Sequence, residues 1–129
     1  MLISQISKAE HIPKKFLEVI LLDLKNKGFL LSKKGKGGGY SLAKSAEKIT
    51  LGEVVRALDG PIAPVTCVSQ TAYQPCKDCV NETFCGIRMI MGDVREAISG
   101  VLDHVSFKDI QQRIHKASLE EGQISSYCI

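Results

Sequence analysis

The sequence lacks the features of an exported or membrane-embedded protein. Its first residues, Met-Leu-Ile-Ser-Gln-Ile-Ser-Lys, do not form the apolar run of a signal peptide, and no window approaches the ~20 apolar residues that a membrane span needs. We therefore expect a cytoplasmic protein with no membrane partner. Structural disulfides are rare in that reducing compartment, so clustered cysteines indicate metal binding or redox sensing there.

Catalytic signatures are also missing. His11, His104 and His115 lie in separate segments, and no serine stands in a nucleophile elbow. The glycine-rich segment 35–39 is not followed by Gly-Lys-Ser/Thr, which argues against a nucleotide-binding P-loop. We therefore expect neither enzymatic activity nor a small-molecule substrate.

The charges are distributed unevenly along the 129 residues. Residues 1–48 contain ten lysines and four acidic residues, a net charge of +6, whereas the remainder has seven basic and ten acidic residues, a net charge of −3. A basic N-terminal part that precedes an acidic part is typical of a surface that faces a polyanion such as DNA. A solvated lysine-rich face is the alternative.

Helical periodicity near the N-terminus predicts a helix-turn-helix. Residues 2–9 form a short amphipathic segment, and Pro13 stands at the first position of a second helix. In residues 14–27 the apolar side chains recur at helical spacing, and Gly28 ends the helix; they are Phe16, Leu17, Ile20, Leu21 and Leu24. In this motif the second helix enters the major groove of DNA.

A β-hairpin follows the two helices. Residues 29–32 and 40–42 read as strands, and residues 33–39 connect them with three lysines and four glycines. A cationic glycine-rich tip can approach phosphates or a minor groove closely. The expected fold is therefore mainly α with a small β-hairpin, a winged helix-turn-helix. The candidate DNA contacts are Lys14, Lys15, Glu18, Lys33, Lys34, Lys36, Gly37 and Tyr40.

Two further helices follow from their capping sequences. Thr50 and Glu53 form a capping box that opens a helix over 51–58, with Leu51, Val54, Val55 and Leu58 as its buried stripe. Ser106 and Asp109 form a second capping box before a helix that carries Phe107, Ile110 and Ile114 on one face.

Between these helices lies a longer predicted helix, from about Glu82 to Asp103. Apolar residues follow a 3-4-3-4 spacing over about two heptads, a seam too short to be stable alone but suited to packing against a second copy. Its predicted dimer-interface residues are Ile87, Ile90, Val94, Ala97 and Val101. A core helix within one chain is the alternative.

Four of the five cysteines lie between residues 67 and 85. Thiolates on one loop can converge on a soft metal, and 2Fe–2S and 4Fe–4S clusters both accept four cysteine ligands. The candidate ligands are Cys67, Cys76, Cys79 and Cys85.

Other uses of these cysteines stay open. A zinc site is one alternative, although only one Cys-x2-Cys pair is present. A thiol switch through Cys76 and Cys79 is another. A cluster-bearing electron-transfer protein is a rival of a different class, but it needs no lysine-rich hairpin. Cys128 reads as an incidental free thiol.

Several segments together resemble the Rrf-type winged-helix transcription regulators, the family of IscR, NsrR and CymR. They are Ile12 to Glu18, Gly28-Phe29-Leu30 leading to Gly37-Gly38-Gly39-Tyr40-Ser41-Leu42, residues 49–62, Cys79-x5-Cys85 with Arg88, and residues 94–98. The resemblance implies a homodimer that binds palindromic promoter DNA and senses iron–sulfur, redox or nitric-oxide status through a cluster beside the dimer helix.

The resemblance also implies residue roles and two departures. By position Cys67, Cys79 and Cys85 match the family's three cysteines, Cys76 is extra, and Arg88 stands where some members carry a histidine ligand. Such regulators usually begin with a further helix, and we expect this sequence to lack it. We therefore expect it to bind DNA poorly until an upstream helix is added. The expected organisation is a DNA-binding region over 1–62, a cluster-binding loop over 63–82, the dimerisation helix and a following short helix over 83–119, and a flexible tail over 120–129.

Overall fold

The computed structural model describes residues 1–122. The chain divides into two compact units, Met1–Ile49 and Thr50–Ile129, which are described separately below. Most of the predicted flexible tail, including Cys128, lies outside the described residues. Within the described part of the chain, no helix is long and apolar enough to cross a membrane.

The first unit is a winged helix-turn-helix, as the sequence predicted. It contains α1 (Ile3–Glu10), α2 (Lys14–Asn26), β1 (Leu30–Lys33) and β2 (Gly39–Leu42), followed by a 3-10 turn over Ala46–Lys48. The helix α2 starts directly after Pro13 and ends at Asn26. Gly28 follows the C-cap residue Lys27, and its φ of 85° allows the Phe29 N–H to donate to the Leu24 carbonyl at 3.0 Å.

The buried face of α2 is narrower than its apolar sequence pattern. Leu17 and Leu21 are buried, whereas Phe16 is 69% exposed and Val19 is 70% exposed. Phe16 thus belongs to the apolar sequence pattern of α2 but lies outside its buried face. Leu17 and Leu21 are four residues apart and share one helix face, and Phe16 lies at the edge of that face, in the first turn.

The hairpin pairs β1 with β2 in antiparallel register, from Leu30 opposite Leu42 to Lys33 opposite Gly39. Met1 lies along the outer edge of β2: the Tyr40 N–H donates to the Met1 carbonyl at 2.8 Å, and the Met1 ammonium donates to the Tyr40 carbonyl at 2.9 Å. A Cβ on Gly39 would lie 2.2 Å from the Met1 oxygen. Only glycine therefore permits this close backbone approach.

The second unit contains α3 (Leu51–Asp59), α4 (Gly86–Leu102) and α5 (Phe107–Glu120), with 3-10 turns at Thr66–Val68 and Glu82–Phe84. Both predicted capping boxes are present, at Thr50 with Glu53 and at Ser106 with Asp109. The helix α4 begins at Gly86 instead of Glu82, because residues 82–84 form the 3-10 turn and Cys85 occupies the N-cap position.

The N-terminal part of α3 is fixed to the junction between α4 and α5. The Leu51 N–H donates to the Val105 carbonyl at 2.8 Å, and Arg56 forms a two-pronged ion pair with Asp103 at 2.5 and 2.9 Å. These contacts leave the last turn of α3 uncovered. Leu58 is consequently 45% exposed, so its assignment to a buried stripe was wrong.

The Arg56–Asp103 pair also explains why a glycine occurs in α3. A Cβ on Gly52, a buried residue, would lie 2.0 Å from Oδ1 of Asp103. The guanidinium of Arg56 holds the pKa of the Asp103 carboxyl below its ordinary value, and the pKa of Arg56 is raised in return. The carboxylate therefore stabilises the fold in its charged form.

We expect Asp103→Asn to lower the unfolding free energy at neutral pH by about 0.5–1 kcal/mol, a shift of roughly 2–4 °C in Tm. The effect is modest because both side chains are more than a third exposed and water screens the pair. The difference should shrink as the pH falls below about 4, since protonation of Asp103 then removes the same charge from the parent protein. Thermal unfolding across pH measures this, with exposed Asp93→Asn in α4 as the control; equal effects of the two substitutions would show that the pair contributes nothing.

Candidate DNA-binding surface and cysteine site

The start of α2 presents a polar, mainly cationic surface. Lys14, Lys15 and Glu18 are all exposed, while Leu17 and Leu21 of the same helix are buried. Helix packing therefore turns the predicted DNA-contacting side chains toward solvent. The partial positive charge at a helix N-terminus adds to that of the two lysines and favours an anionic partner such as a phosphate.

The hairpin tip carries the other predicted DNA contacts. Lys33 is the last residue of β1, and Lys34 and Lys36 lie in the connecting loop, with all three exposed. Gly37 has a φ of 72°, a left-handed conformation that lets the loop turn sharply. Tyr40 is half-buried, and its main chain is already bonded to Met1.

The four clustered cysteines lie around one cavity in the second unit. This cavity has a volume of about 270 Å³ and is lined by Cys67, Cys76, Cys79 and Cys85, together with Glu82, Arg88 and adjacent loop residues. Cys76 is exposed, the other three are half-buried, and all four are free thiols. The structure thus brings together the residues that the sequence singled out as ligands.

The four cysteine side chains are not close enough together to coordinate a metal ion as they stand. Among the described residues, no group of three or more histidine, cysteine, aspartate or glutamate side chains is close enough to hold a metal ion. The donor chemistry of four thiols around one cavity nevertheless fits a thiolate-ligated iron–sulfur cluster. The loop would have to close around such a group for all four sulfurs to reach it.

Local hydrogen bonds set the position of each cysteine. The Cys79 N–H donates to the Cys76 carbonyl at 3.2 Å, which places this Cys-x2-Cys pair in a tight turn. Cys85 is the N-cap of α4, and its Sγ accepts the Arg88 N–H at 3.4 Å. Cys67 lies in the 3-10 turn Thr66–Val68, where its carbonyl accepts from Nε of Arg88 at 3.3 Å.

Electrostatics within the cavity oppose ionisation of the Cys79 thiol. Burial raises the pKa of the Cys79 thiol, and the negative charges of Cys85, Glu82 and Cys76 raise it further. Glu82 is in turn hydrogen-bonded by the hydroxyl of Tyr73, an interaction that raises the pKa of that phenol. A cationic centre among the sulfurs would reverse this repulsion, as metal ions do when they bind deprotonated thiols.

Two arginines of α4, Arg88 and Arg95, hold the loop that carries the cysteines (residues 63–85, the cysteine loop), and the sequence did not predict this arginine clamp. Arg88 bonds the Cys67 carbonyl, and Nη1 of Arg95 bonds the Val68 carbonyl at 2.6 Å. The two arginines are seven residues apart, so they lie two turns apart on the same face of α4. The spacing of the two arginines is visible in the sequence. Their partners could not be predicted, because they are main-chain carbonyls 21 and 27 residues away, and every residue has such a carbonyl.

Comparison with known proteins places these features in one family. The family model described as "Rrf2: Iron-dependent Transcriptional regulator" matches residues 1–113. An rrf2-like HTH-type transcriptional regulator of Rhodobacter capsulatus is 43% identical over 108 residues, which cover 84% of this chain and 72% of that protein. The HTH-type transcriptional regulator IscR of Serratia proteamaculans is 29% identical over 108 residues, 84% of this chain and 62% of that protein.

A solved structure agrees. The global cysteine regulator CymR of Bacillus subtilis superimposes with a TM-score of 0.71 at 27% identity, over 88% of this chain and 78% of that one. These relatives are regulators of transcription and not enzymes. The winged helix-turn-helix, the match of residues 1–113 to the family model and the likeness to CymR lead to one conclusion: the chain belongs to the Rrf2 family of transcriptional regulators.

Proposed function

We propose that this regulator is a cytoplasmic homodimer that binds double-stranded promoter DNA and senses iron–sulfur, redox or nitric-oxide status through a cysteine-bound cluster. The observation that carries the proposal is the single cavity lined by Cys67, Cys76, Cys79 and Cys85. The description of the family as iron-dependent supports it as well. Both 2Fe–2S and 4Fe–4S clusters are compatible with four thiolate ligands.

The positions of the cysteines link cofactor state to the conformation of α4. Cys85 caps the first turn of α4, and Arg88 in that turn holds the Cys67 segment. When bound, the cluster would supply reactivity toward oxygen or nitric oxide. Gain or loss of the cluster would change how Cys85 and Arg88 hold the Cys67 segment against α4. The cluster can shift DNA binding only if it stabilises one conformation of the regulator more than another, and only by that difference in free energy.

The DNA-binding part of the proposal assigns roles by chemistry. Lys14, Lys15 and Glu18 of α2 would face the major groove, where a carboxylate can accept a hydrogen bond from a cytosine amine. Lys33, Lys34 and Lys36 would contact the flanking backbone or the minor groove, and Gly37 would allow the hairpin tip to approach closely.

The dimer part of the proposal rests on the apolar residues that α4 exposes. Ile87 is 72% exposed, Ile90 is 60% exposed and Val101 is 64% exposed. Val94 and Ala97, which complete the predicted seam, are exposed too. Exposed apolar residues repeated at coiled-coil spacing are typical of a helix that packs against its own copy.

We expect Val94→Glu to convert the dimer into a monomer, because a charge buried in an apolar seam costs several kcal/mol. Light scattering gives the molar mass directly. Ser99→Glu is the matched control, since it introduces the same residue on the opposite face of α4, and it should leave the protein dimeric. A Val94→Glu protein that stays dimeric with normal stability would place the interface elsewhere.

The test of the proposed function begins with anaerobic purification. The protein should be coloured, with iron and sulfide stoichiometric per monomer, and it should shift duplexes selected from a random-sequence pool in a gel assay. Exposure to oxygen or nitric oxide should bleach the protein and change its DNA affinity. If the protein is colourless and carries one tightly bound zinc ion, the cysteines form a zinc site and the cluster proposal is wrong. If the protein is coloured but binds no duplex, it is an electron carrier and not a regulator.

A thiol switch is a second candidate, which the turn between Cys76 and Cys79 favours. Their two thiols would release two protons and two electrons to a peroxide, forming one disulfide while the peroxide is reduced to water. Iron-free protein treated with peroxide would then lose two mass units, and dithiothreitol would restore both the mass and the original DNA affinity.

A further inference from the structure

A second cavity of about 270 Å³ lies between the cysteine loop and α4. The loop contributes Cys67, Ser69 and Tyr73 to its lining, and α4 contributes Arg88, Gly92 and Arg95. The two ionisable side chains from α4 are both guanidinium groups, and no carboxylate lines the cavity. Arg95 is paired with the carboxylate of Glu96 outside the lining, so the excess positive charge at the cavity comes from Arg88, and it favours an anionic occupant.

Several hydrogen-bond donors of the residues that line this cavity remain available for a ligand. A guanidinium carries five N–H groups; Arg88 uses Nε on the Cys67 carbonyl, and Arg95 uses one N–H on Val68 and another on Glu96. Ser69 is buried, and its Oγ accepts the Ala72 N–H at 3.0 Å, so its own hydroxyl proton is left to donate. Such a set of donors matches the oxygens of a phosphate or a carboxylate.

Gly92 also lines the cavity, and packing within the chain does not require a glycine at this position. Gly92 lies in the middle of α4, where glycine costs about 1 kcal/mol relative to alanine. A Cβ built on Gly92 would meet no atom within 4 Å, so close packing does not explain the residue. The missing side chain keeps the space between Arg88 and Arg95 open.

We propose that this cavity binds a small oxyanion, a phosphate or a small carboxylate, held by Arg88, Arg95 and Ser69. Its volume lies just below the ~300–1,000 Å³ of pockets for drug-sized ligands, which leaves ample room for a small oxyanion. Cys67 and Arg88 also line the cysteine cavity. A bound anion would therefore hold the Cys67 turn on α4 and act as an effector beside the cysteines, whichever group they bind.

Isothermal titration calorimetry of the purified full chain tests this, with inorganic phosphate and malonate as separate probes in a chloride buffer. We expect saturable one-to-one binding of at least one probe with Kd below about 1 mM. Gly92→Leu fills part of the cavity and Arg95→Gln removes one guanidinium, so each should weaken binding at least about tenfold. The probe that binds more tightly identifies the oxyanion class.

Gly100→Leu is the matched control. Gly100 lies in the same helix, a Cβ there would also meet nothing within 4 Å, and the residue does not line the cavity. It should bind the probe as the parent does, and circular dichroism should show all three variants helical. Absence of saturable binding to the parent with both probes would overturn the proposal. Parent-like affinity of Gly92→Leu, or an equal loss in Gly100→Leu, would do so too.

Discussion

Cys85→Ser should abolish the visible absorption of the anaerobically purified protein and reduce its iron content to background. Loss of one thiolate leaves a cluster without a complete ligand set, and a serine hydroxyl is a poor ligand for iron at neutral pH. Serine is also among the preferred N-cap residues, so the first turn of α4 should survive the change. The substitution therefore separates the role of Cys85 as ligand from its role as the cap of α4.

Two further substitutions of the same kind complete the measurement. Cys76→Ser reports on the fourth ligand: a lost spectrum assigns it to Cys76, and an unchanged spectrum means that the ligand comes from another group. Cys128→Ser is the control, since we expect Cys128 to be incidental, and it should leave iron and sulfide unchanged. A Cys85→Ser protein with stoichiometric iron would contradict the proposed site.

Elements whose signals lie within a few residues were predictable from the sequence. The helical spacing of the apolar residues predicts α2, Gly28 predicts that the helix stops just before it, and each capping box is complete within four residues. The hairpin follows from a glycine-rich loop between two short apolar runs. These patterns specify structure because the groups that satisfy the backbone are supplied nearby in sequence.

Contacts between distant segments were not predictable in the same way. Arg56 and Asp103 are 47 residues apart, and nothing local marks them as partners. The predicted burial of Leu58 was wrong for a related reason: the residue fits a helical pattern, but which part of a helix is covered depends on where other segments pack. An amphipathic pattern therefore gives the face of a helix more reliably than the extent of its burial.

The sequence predicted which four cysteines line the candidate site, but it did not predict how the loop holds them. Clustering along 19 residues identified the four thiols, and the structure gathers them around one cavity. The arginine clamp on Cys67 and Val68 depends on how the loop folds back on α4. The sequence marked Arg88 as part of the family resemblance, at a position where some members carry a histidine ligand, but not as a residue that holds the loop.

We expect replacement of Lys33, Lys34 and Lys36 together by glutamine to weaken binding to all DNA sequences by about 100-fold at ~0.15 M salt. A lysine that contacts a phosphate releases a counterion, and each lost contact should flatten the log–log dependence of affinity on salt by up to ~0.9. Three lost contacts per protomer are six in the proposed homodimer, so that slope falls by up to ~5.4, and the affinity falls accordingly. Glutamine keeps a long polar side chain on the exposed hairpin tip, so β1 and β2 should remain paired.

The control is a triple variant with the same change in net charge, Lys77, Lys108 and Lys116 to glutamine, all outside the first unit. Its DNA affinity should fall by no more than a few-fold, because a charge that makes no phosphate contact acts only through the screened field of the whole protein. Gel-shift or fluorescence titrations from 50 to 200 mM salt give both slopes. Equal losses in the two variants would mean that net charge governs affinity. A hairpin variant with an unchanged salt slope would mean that its lysines contact no phosphate, and α2 would then have to supply the ionic part of DNA binding.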